Sequence, residues 1–434
     1  MGTRKTGIDR RGFIRTTGLG ALGLGLAGAG CGDGGGGLQD GGAPDSGAAH
    51  APFSVVVLPD TQYFAESYPS IYTAQTQWIA DNLKSERIVF VSHVGDVVDN
   101  GPDLGQWKNA LQSMGTLDKA GVPYGVCLGN HDLQYSDASY QYPASVDGSC
   151  TTFKDFDCQA KHFIDAFGPK VFAGKPWYGG ASPGGLSSYQ LVEVEGIKLL
   201  FLHLVLDMRQ GDLTWAQTVL DQHKDALVHV TTHRYMYDFR LVKTLPYPLS
   251  TLLGGRYTDA HYGMDDEIYF DDGVMAEAFF TDFVKKNTNI FMVHCGHFDA
   301  EYRQVSKNDA GLPVHEILVD FQTYSPNGGD GWLRQLTFDL DRGEIKVRTY
   351  SPSLKRYRKN GDGFDGSVKA VKDGLNAYRD LFKLFLDFDE LTKKIDYWGS
   401  DPQGRKEYFD LLYGEGARDS EFTLQVDFAA YTAT

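Results

Sequence analysis

Short apolar runs alternate with amphipathic stretches from residue 53 onward, and this rhythm predicts the fold class. Phe53-Ser54-Val55-Val56-Val57-Leu58 is almost continuously apolar, as a strand covered on both faces must be. Ile71, Ala74, Trp78, Ile79 and Leu83 then recur at helical spacing. Residues 87–92 give a second strand, Trp107, Ala110, Leu111 and Met114 a second helix, and residues 122–128 a third strand. Such alternation specifies an α/β domain. Residues 188–194 and 197–204 meet at Glu195-Gly196 like a hairpin, residues 213–224 read as a helix and 226–232 as the next strand. Residues 290–293, 314–319, 333–340 and 344–349 are expected to form a second sheet. Residues 234–272 are rich in Tyr and Asp without periodicity and predict a long excursion. In the tail, Val371, Leu375, Tyr378, Phe382 and Phe385 mark a helix, and Phe422, Leu424, Val426 and Phe428 alternate like a terminal strand. The expected organisation is a main domain over 51–355 and an extension, 356–434, packed on it.

With 434 residues and 42% hydrophobic content, the chain can bury a large core. Its 57 acidic and 41 basic side chains leave a formal charge of -16, so no nucleic-acid-binding surface is expected. The first 31 residues differ in kind. Arg10-Arg11-Gly12-Phe13-Ile14 precedes a weakly hydrophobic Gly/Ala/Leu run over 18–30, and resembles a twin-arginine export signal. That resemblance implies export of a folded chain, to the periplasm, the extracellular space or the cell envelope. The run is shorter than the ~20 apolar residues a bilayer span requires. Cys31 closes Gly28-Ala29-Gly30-Cys31, a partial likeness to a lipoprotein cleavage box. Lipidation of Cys31, the one expected route to a membrane, and plain cleavage nearby both stand open. Residues 32–50 form a Gly/Ala/Asp tether. Cys150 and Cys158 flank a short polar stretch and fit a loop-closing disulfide, while Cys127 and Cys295, in apolar runs, read as buried thiols.

Chemistry-bearing residues gather where apolar strands end. Asp60-Thr61-Gln62 follows the first strand, Gly95-Asp96-Val97-Val98-Asp99 the second, and Gly129-Asn130-His131-Asp132 the third. His233 closes Val230-Thr231-Thr232-His233, and Gly296-His297-Phe298-Asp299 closes the strand through Val293. Carboxyl ends of strands in α/β sheets share one edge, so these groups can converge although distant in sequence. Carboxylate, amide and imidazole together make a divalent-metal set. His93, His203 and His294 lie within apolar runs and read as core groups or as supports behind the ligands, and Asn327-Gly328-Gly329-Asp330-Gly331 as a glycine-rich connection.

In order and spacing these five motifs resemble the calcineurin-like metallophosphoesterases, over about residues 53–300. The resemblance implies a four-layer α/β/β/α sandwich, here with a small C-terminal helical and strand extension. It implies two divalent metal ions bridged by Asp96, with Asn130, His233 and His297 completing the second site and Asp60 and Gln62 on the first. It makes His131 and Asp132 the catalytic residues, His131 serving the departing oxygen and Asp132, like Asp99, orienting the groups around it. The implied activity is hydrolysis of phosphate mono- or diesters by a metal-bridging hydroxide, on a small phosphate ester or a phospholipid-type substrate. Gln62 and Asp299 stand where the family has histidines, and both fall on the first metal. Among Mn, Fe, Zn, Mg and Ca, an oxygen-rich first site favours a hard ion. The extra carboxylate predicts an alkaline optimum. A binding protein with a degenerate first site is the alternative, and cleavage of a pyrophosphate or sulfate ester a third reading.

Overall fold

The computed structural model describes residues 49–134, 156–237, 255–256, 273–298, 301–322, 326–358, 393 and 420–432. Cys31, Cys150, Asp299, most of the 234–272 excursion and the helix expected near Phe382 lie outside the described residues. The chain runs β1 (Phe53–Leu58), α1 (Gln62–Ser67), α2 (Pro69–Asn82), β2 (Ile88–His93), α3 (Leu104–Ala120) and β3 (Tyr124–Val126). Next come α4 (Phe156–Gln159), α5 (Lys161–Phe167), α6 (Pro169–Phe172), β4 (Tyr178–Ala181), β5 (Ser188–Val194), β6 (Ile197–His203), α7 (Gln210–Gln222) and β7 (Leu227–Thr231). The remaining strands are β8 (Met236–Tyr237), β9 (Gly255–Arg256), β10 (Ile290–Cys295), β11 (Glu301–Lys307), β12 (Pro313–Val319), β13 (Leu333–Asp339), β14 (Glu344–Ser351), β15 (Arg356–Tyr357) and β16 (Glu421–Gln425).

Two sheets stack. The first has the order β15-β14-β13-β1-β2-β3, with β16 also pairing β14, and β1, β2 and β3 run parallel. The second is ordered β11-β12-β10-β7-β6-β5-β4, with a parallel centre of β12, β10, β7 and β6. The near-continuous apolar runs follow from this stacking, because each central strand is covered twice. Val56 and Leu58 of β1 face a core shared with α2 and α3, whereas Phe53, Val55 and Val57 face the second sheet. Leu200, Leu202, Val228 and Val230 of the second sheet face α7 and the helical stretch 276–284. Three cores between four layers make an α/β/β/α sandwich, and Phe90 and Phe201 stack across the two sheets with ring centroids 3.8 Å apart.

One expectation is corrected. Residues 333–340 and 344–349 were assigned with 290–293 and 314–319 to one second sheet, but β13 and β14 belong to the first. β13 lies antiparallel on β1, from Phe53↔Phe338 to Val57↔Arg334, and Phe53 stacks on Phe338. Alternation marks a strand with one buried face but carries no information about which neighbour it joins. β11 was not foreseen: Glu-Tyr-Arg-Gln-Val-Ser-Lys is polar enough for an edge strand and carries no apolar run. At the β5–β6 junction, Glu195 (φ 48°) and Gly196 (φ 77°) are both left-handed, as a two-residue hairpin of the twisted kind needs.

The described end of the chain joins the first sheet. β16 pairs Leu424 with Ile345 and Phe422 with Val347, and both side chains enter the inter-sheet core. Beside it lies a buried charge cluster. Glu301 accepts from Arg334, from Arg358 Nε (2.7 Å) and from Ser420 Oγ (2.6 Å). Burial opposes the Glu301 charge, but the two guanidinium groups outweigh it and hold its pKa below the ordinary value. Cys127 and Cys295 are buried and free, and Cys158 is disulfide-bonded. Among the described residues no helix is long and apolar enough to cross a membrane.

Candidate metal centre

The strand-end residues of β1, β2, β3, β7 and β10 meet at one edge of the sandwich. Asp96, Asn130 and His233 are buried, and Asp96 and His233 lie side by side, His233 Nε2 3.2 Å from Asp96 Oδ1. Asn130 Oδ1 is 3.0 Å from His233 Nε2 and 2.8 Å from His297 Nδ1. Asp96, His233 and His297 each direct one ligand atom into a common space, all within 4.8 Å of one another.

The protonation pattern explains why these groups tolerate each other. His233 Nδ1 is 3.0 Å from the Val94 carbonyl, which can only accept, so Nδ1 carries the proton and Nε2 presents a lone pair. That lone pair faces Asp96 Oδ1 and Asn130 Oδ1, which are also acceptors in their usual orientation. Converging acceptors are a poor hydrogen-bond arrangement and a good cation cage, and an imidazole steadied through its other nitrogen is how metal-bound histidines are held. The donor set therefore fits a divalent transition ion. Burial, then His233 and Arg234, pushes the His297 pKa well down, leaving its imidazole neutral and able to ligate.

The glycines of the motifs have a steric reason. A Cβ on Gly129 would sit 2.1 Å from Asp96 Oδ1, and one on Gly296 would sit 2.0 Å from Asp60 Oδ1. These two glycines thus make room for a carboxylate from another motif, and Gly95 likewise makes room for the His233 ring, whose Nδ1 would lie 2.7 Å from an added Cβ. The ligand positions themselves are strained, since Asp96 (φ 48°) and His297 (φ 72°) adopt left-handed backbone at a cost on the order of 1–2 kcal/mol each. Hydrogen bonds hold them there. Asp96 Oδ1 accepts the His131 N–H at 2.9 Å, and the Gly296 N–H reaches the His233 carbonyl at 3.0 Å.

Asp60 is buried beside this cage and its Oδ2 accepts the His297 N–H at 3.0 Å. Gln62, also buried, donates from Nε2 to Asp99 Oδ1 at 3.2 Å, while its Oε1 has no hydrogen-bond partner among the described residues. An amide oxygen left so costs about 1–3 kcal/mol unless something positive meets it. His131 Nδ1 donates to the Asp99 carbonyl at 2.8 Å. Its side chain, 26% exposed, is the part of the site that solvent reaches, together with Asp99 at 21%.

Asp132 was placed with His131 as catalytic, but it is fully buried and bonded to backbone. Oδ1 accepts the Val97 and Val98 N–H groups at 2.8 and 3.1 Å, and Oδ2 accepts the Gly129 N–H at 2.9 Å. Burial and the nearby Asp96 push its pKa up, and the three N–H groups pull the other way. It fastens the Asp96 loop to the Asn130 loop. Two further groups support the site, and of these only Arg234 was not anticipated. His93 Nδ1 accepts the Gly95 N–H at 3.2 Å and Nε2 lies 3.0 Å from Thr61 Oγ1, so His93 braces two ligand turns at once. Burial, then His233, lowers its pKa to about 3. Arg234 pairs with Asp207 through Nε at 2.8 Å directly behind His233, and an arginine next to a strand-end histidine was its only trace in the sequence.

Residues 53–249 match the family model of the calcineurin-like phosphoesterases. This part of the chain belongs to that family. The chain is also 33% identical over 350 residues to the uncharacterized protein YvnB of Bacillus subtilis (strain 168), a match covering 79% of this chain and 22% of that relative. Among solved structures, a purple acid phosphatase from yellow lupin (Lupinus luteus) seeds aligns at a TM-score of 0.42 and 14% identity, covering 71% of this chain and 53% of its own. A dimetal phosphatase from Danio rerio aligns at 0.39 and 11% identity, covering 69% and 96%.

Proposed function

We propose that this phosphoesterase is an exported hydrolase that cleaves small phosphate mono- or diesters with two divalent cations. The observation that carries the reading is the cage in which His233 Nε2, with its proton fixed on the other nitrogen, faces Asp96 and Asn130 oxygens beside His297. Asp96, Asn130, His233 and His297 would hold one ion, and Asp60, Gln62 and Asp96 the other. When bound, such ions acidify water and offset phosphoryl charge.

The chain's own side chains do the rest. His131 holds its proton on Nδ1 toward the Asp99 carbonyl, so Nε2 faces outward and, once protonated, serves the leaving oxygen. Asp132 and His93 keep the Asp96 turn in place throughout. The unfavourable net charge of -16 requires that an anionic substrate be drawn by the cations themselves, which suits small esters better than polyanions. Export rests on Arg10-Arg11 and the run behind it, and fractionation of cells carrying Arg10→Lys/Arg11→Lys tests it by retention in the cytoplasm.

Assay of the full chain with manganese on p-nitrophenyl phosphate and bis-p-nitrophenyl phosphate tests the activity. We expect turnover that rises above neutral pH and falls at least about a hundredfold in Asp96→Asn. A folded protein that binds manganese and turns over neither ester, nor an aryl pyrophosphate or sulfate, would instead support the binding-protein reading.

A further inference from the structure

Gln62 occupies a position where its orientation, not only its identity, is specified. Its side chain is 1% exposed, Nε2 donates to Asp99 Oδ1 at 3.2 Å, and Oε1 is buried without a hydrogen-bond partner among the described residues. An ionised carboxylate only accepts, so Asp99 takes the NH2 of the amide and turns the carbonyl oxygen away from itself. Asp99 is in turn held from behind. Gln106 Oε1 accepts the N–H groups of Asp99 and Asn100, both at 2.9 Å, and Gln106 stands in the first turn of α3, which Asp103 caps. The same residue receives His131, whose Nδ1 lies 2.8 Å from the Asp99 carbonyl and 3.4 Å from Oδ1.

We propose that Asp99 is a positioning residue for the first cation as well as for His131: by holding the amide nitrogen of Gln62, it presents Gln62 Oε1 as a ligand to a hard divalent ion. The inference rests on the dinuclear reading above and extends it. A glutamine can turn either end of its amide to a cation, and only the oxygen end binds. An orienting carboxylate removes that ambiguity and leaves the ligand itself neutral. The arrangement also ties the two halves of the chemistry together, because one residue serves both: its carboxylate holds Gln62 and its backbone carbonyl holds the imidazole beside the leaving group.

The test is manganese binding to the full chain, by calorimetric titration and by the electron paramagnetic resonance signal of a coupled ion pair. Wild type is expected to take up two ions. Gln62→Leu should weaken the first ion by about tenfold or more and leave the second unchanged. Gln62→Glu should bind both, since either carboxylate oxygen ligates. Asp99→Asn should weaken the first ion about tenfold, and Gln62→Glu in the Asp99→Asn background should restore it, because a carboxylate has no wrong end. A purely structural role for Asp99 would not be rescued in this way. The second ion's affinity and the melting temperature report whether each variant is folded. Two ions bound as tightly in Gln62→Leu as in wild type would overturn the proposal, as would failure of the rescue in a folded double variant. Wild type that binds two ions but hydrolyses no ester would defeat only the assigned activity, whereas wild type that binds one ion defeats this inference.

Discussion

At the scale of single residues, the site separates side chains that face the cage from those that hold the loops. Asp132 belongs to the second group, with both oxygens committed to backbone N–H groups of two different loops. Asp132→Asn keeps the shape but turns an NH2 toward one of those donors, so it should cost about 1–3 kcal/mol. Urea denaturation of the two proteins measures this, and an unchanged midpoint would show that the clamp carries no weight. Manganese affinity should fall with it, because Asp96 and Asn130 are the residues whose loops it joins. The residues that meet at this edge were legible in the sequence, since each closes an apolar run: Asp60 after Leu58-Pro59, Asn130 after Leu128-Gly129. For Asp132 an orienting role was legible but its partners were not, because only the fold brings Val97 and Val98 within reach of its carboxylate.

At the scale of elements, the clearest consequence concerns the last strand. β16 closes part of the inter-sheet core with Phe422 and Leu424, and Ser420 just ahead of it joins Glu301 to Arg334 and Arg358. Glu301 stands at the start of β11, four residues after His297, so this cluster connects the chain's end to the strand that leaves the metal loop. Glu301→Gln leaves two buried guanidinium groups facing a neutral amide and should destabilise by about 3–5 kcal/mol, whereas Ser420→Ala, removing one neutral donor, should cost about 1 kcal/mol. Thermal melts of both variants check the order, and equal effects would refute the charge argument. Strand-helix alternation made β1 to β3 with α2 and α3 readable, because burial on both faces leaves a strong apolar signal. The placement of β13 and β14 was not readable, because Leu336 and Phe338 look the same in sequence whichever sheet they join. β11 and Glu301 gave no signal at all, since an edge strand with a charge cluster at its head looks like a loop.

At the scale of the whole molecule, the space between the sheets is unusually rich in neutral imidazoles, and this sets the response to acid. His203 lies between Ser92 Oγ and Gln190 Oε1, each at 2.8 Å, and His229 Nε2 meets His294 Nδ1 at 2.7 Å. Burial lowers the pKa of His229 to about 3 and that of His315, which also faces Arg303, to about 4; His203 and His294 move well down for the same reason. In the unfolded chain each titrates near 6.5, so below that pH the unfolded state binds protons that the folded state refuses. Stability from these four groups is complete above pH ~6.5 and is lost as the pH falls toward their folded values, at about 1.4 kcal/mol per unit for each. Against a total on the order of 5–15 kcal/mol, a fall of one to two pH units becomes decisive. Glu301 adds to the loss only lower, because its depressed carboxylate pKa keeps it charged until the pH passes below the ordinary value for glutamate. Urea denaturation from pH 8 to pH 4.5 should therefore show a plateau at neutral pH and a steep decline below 6.5. His315→Leu, which replaces an imidazole whose ring nitrogens have no hydrogen-bond partner among the described residues, should make that decline shallower by about one proton's worth. Stability that stays level from pH 7.5 to 5 would mean that the imidazoles find proton acceptors when the sheets are together, and the buried belt would then have to be read as charged.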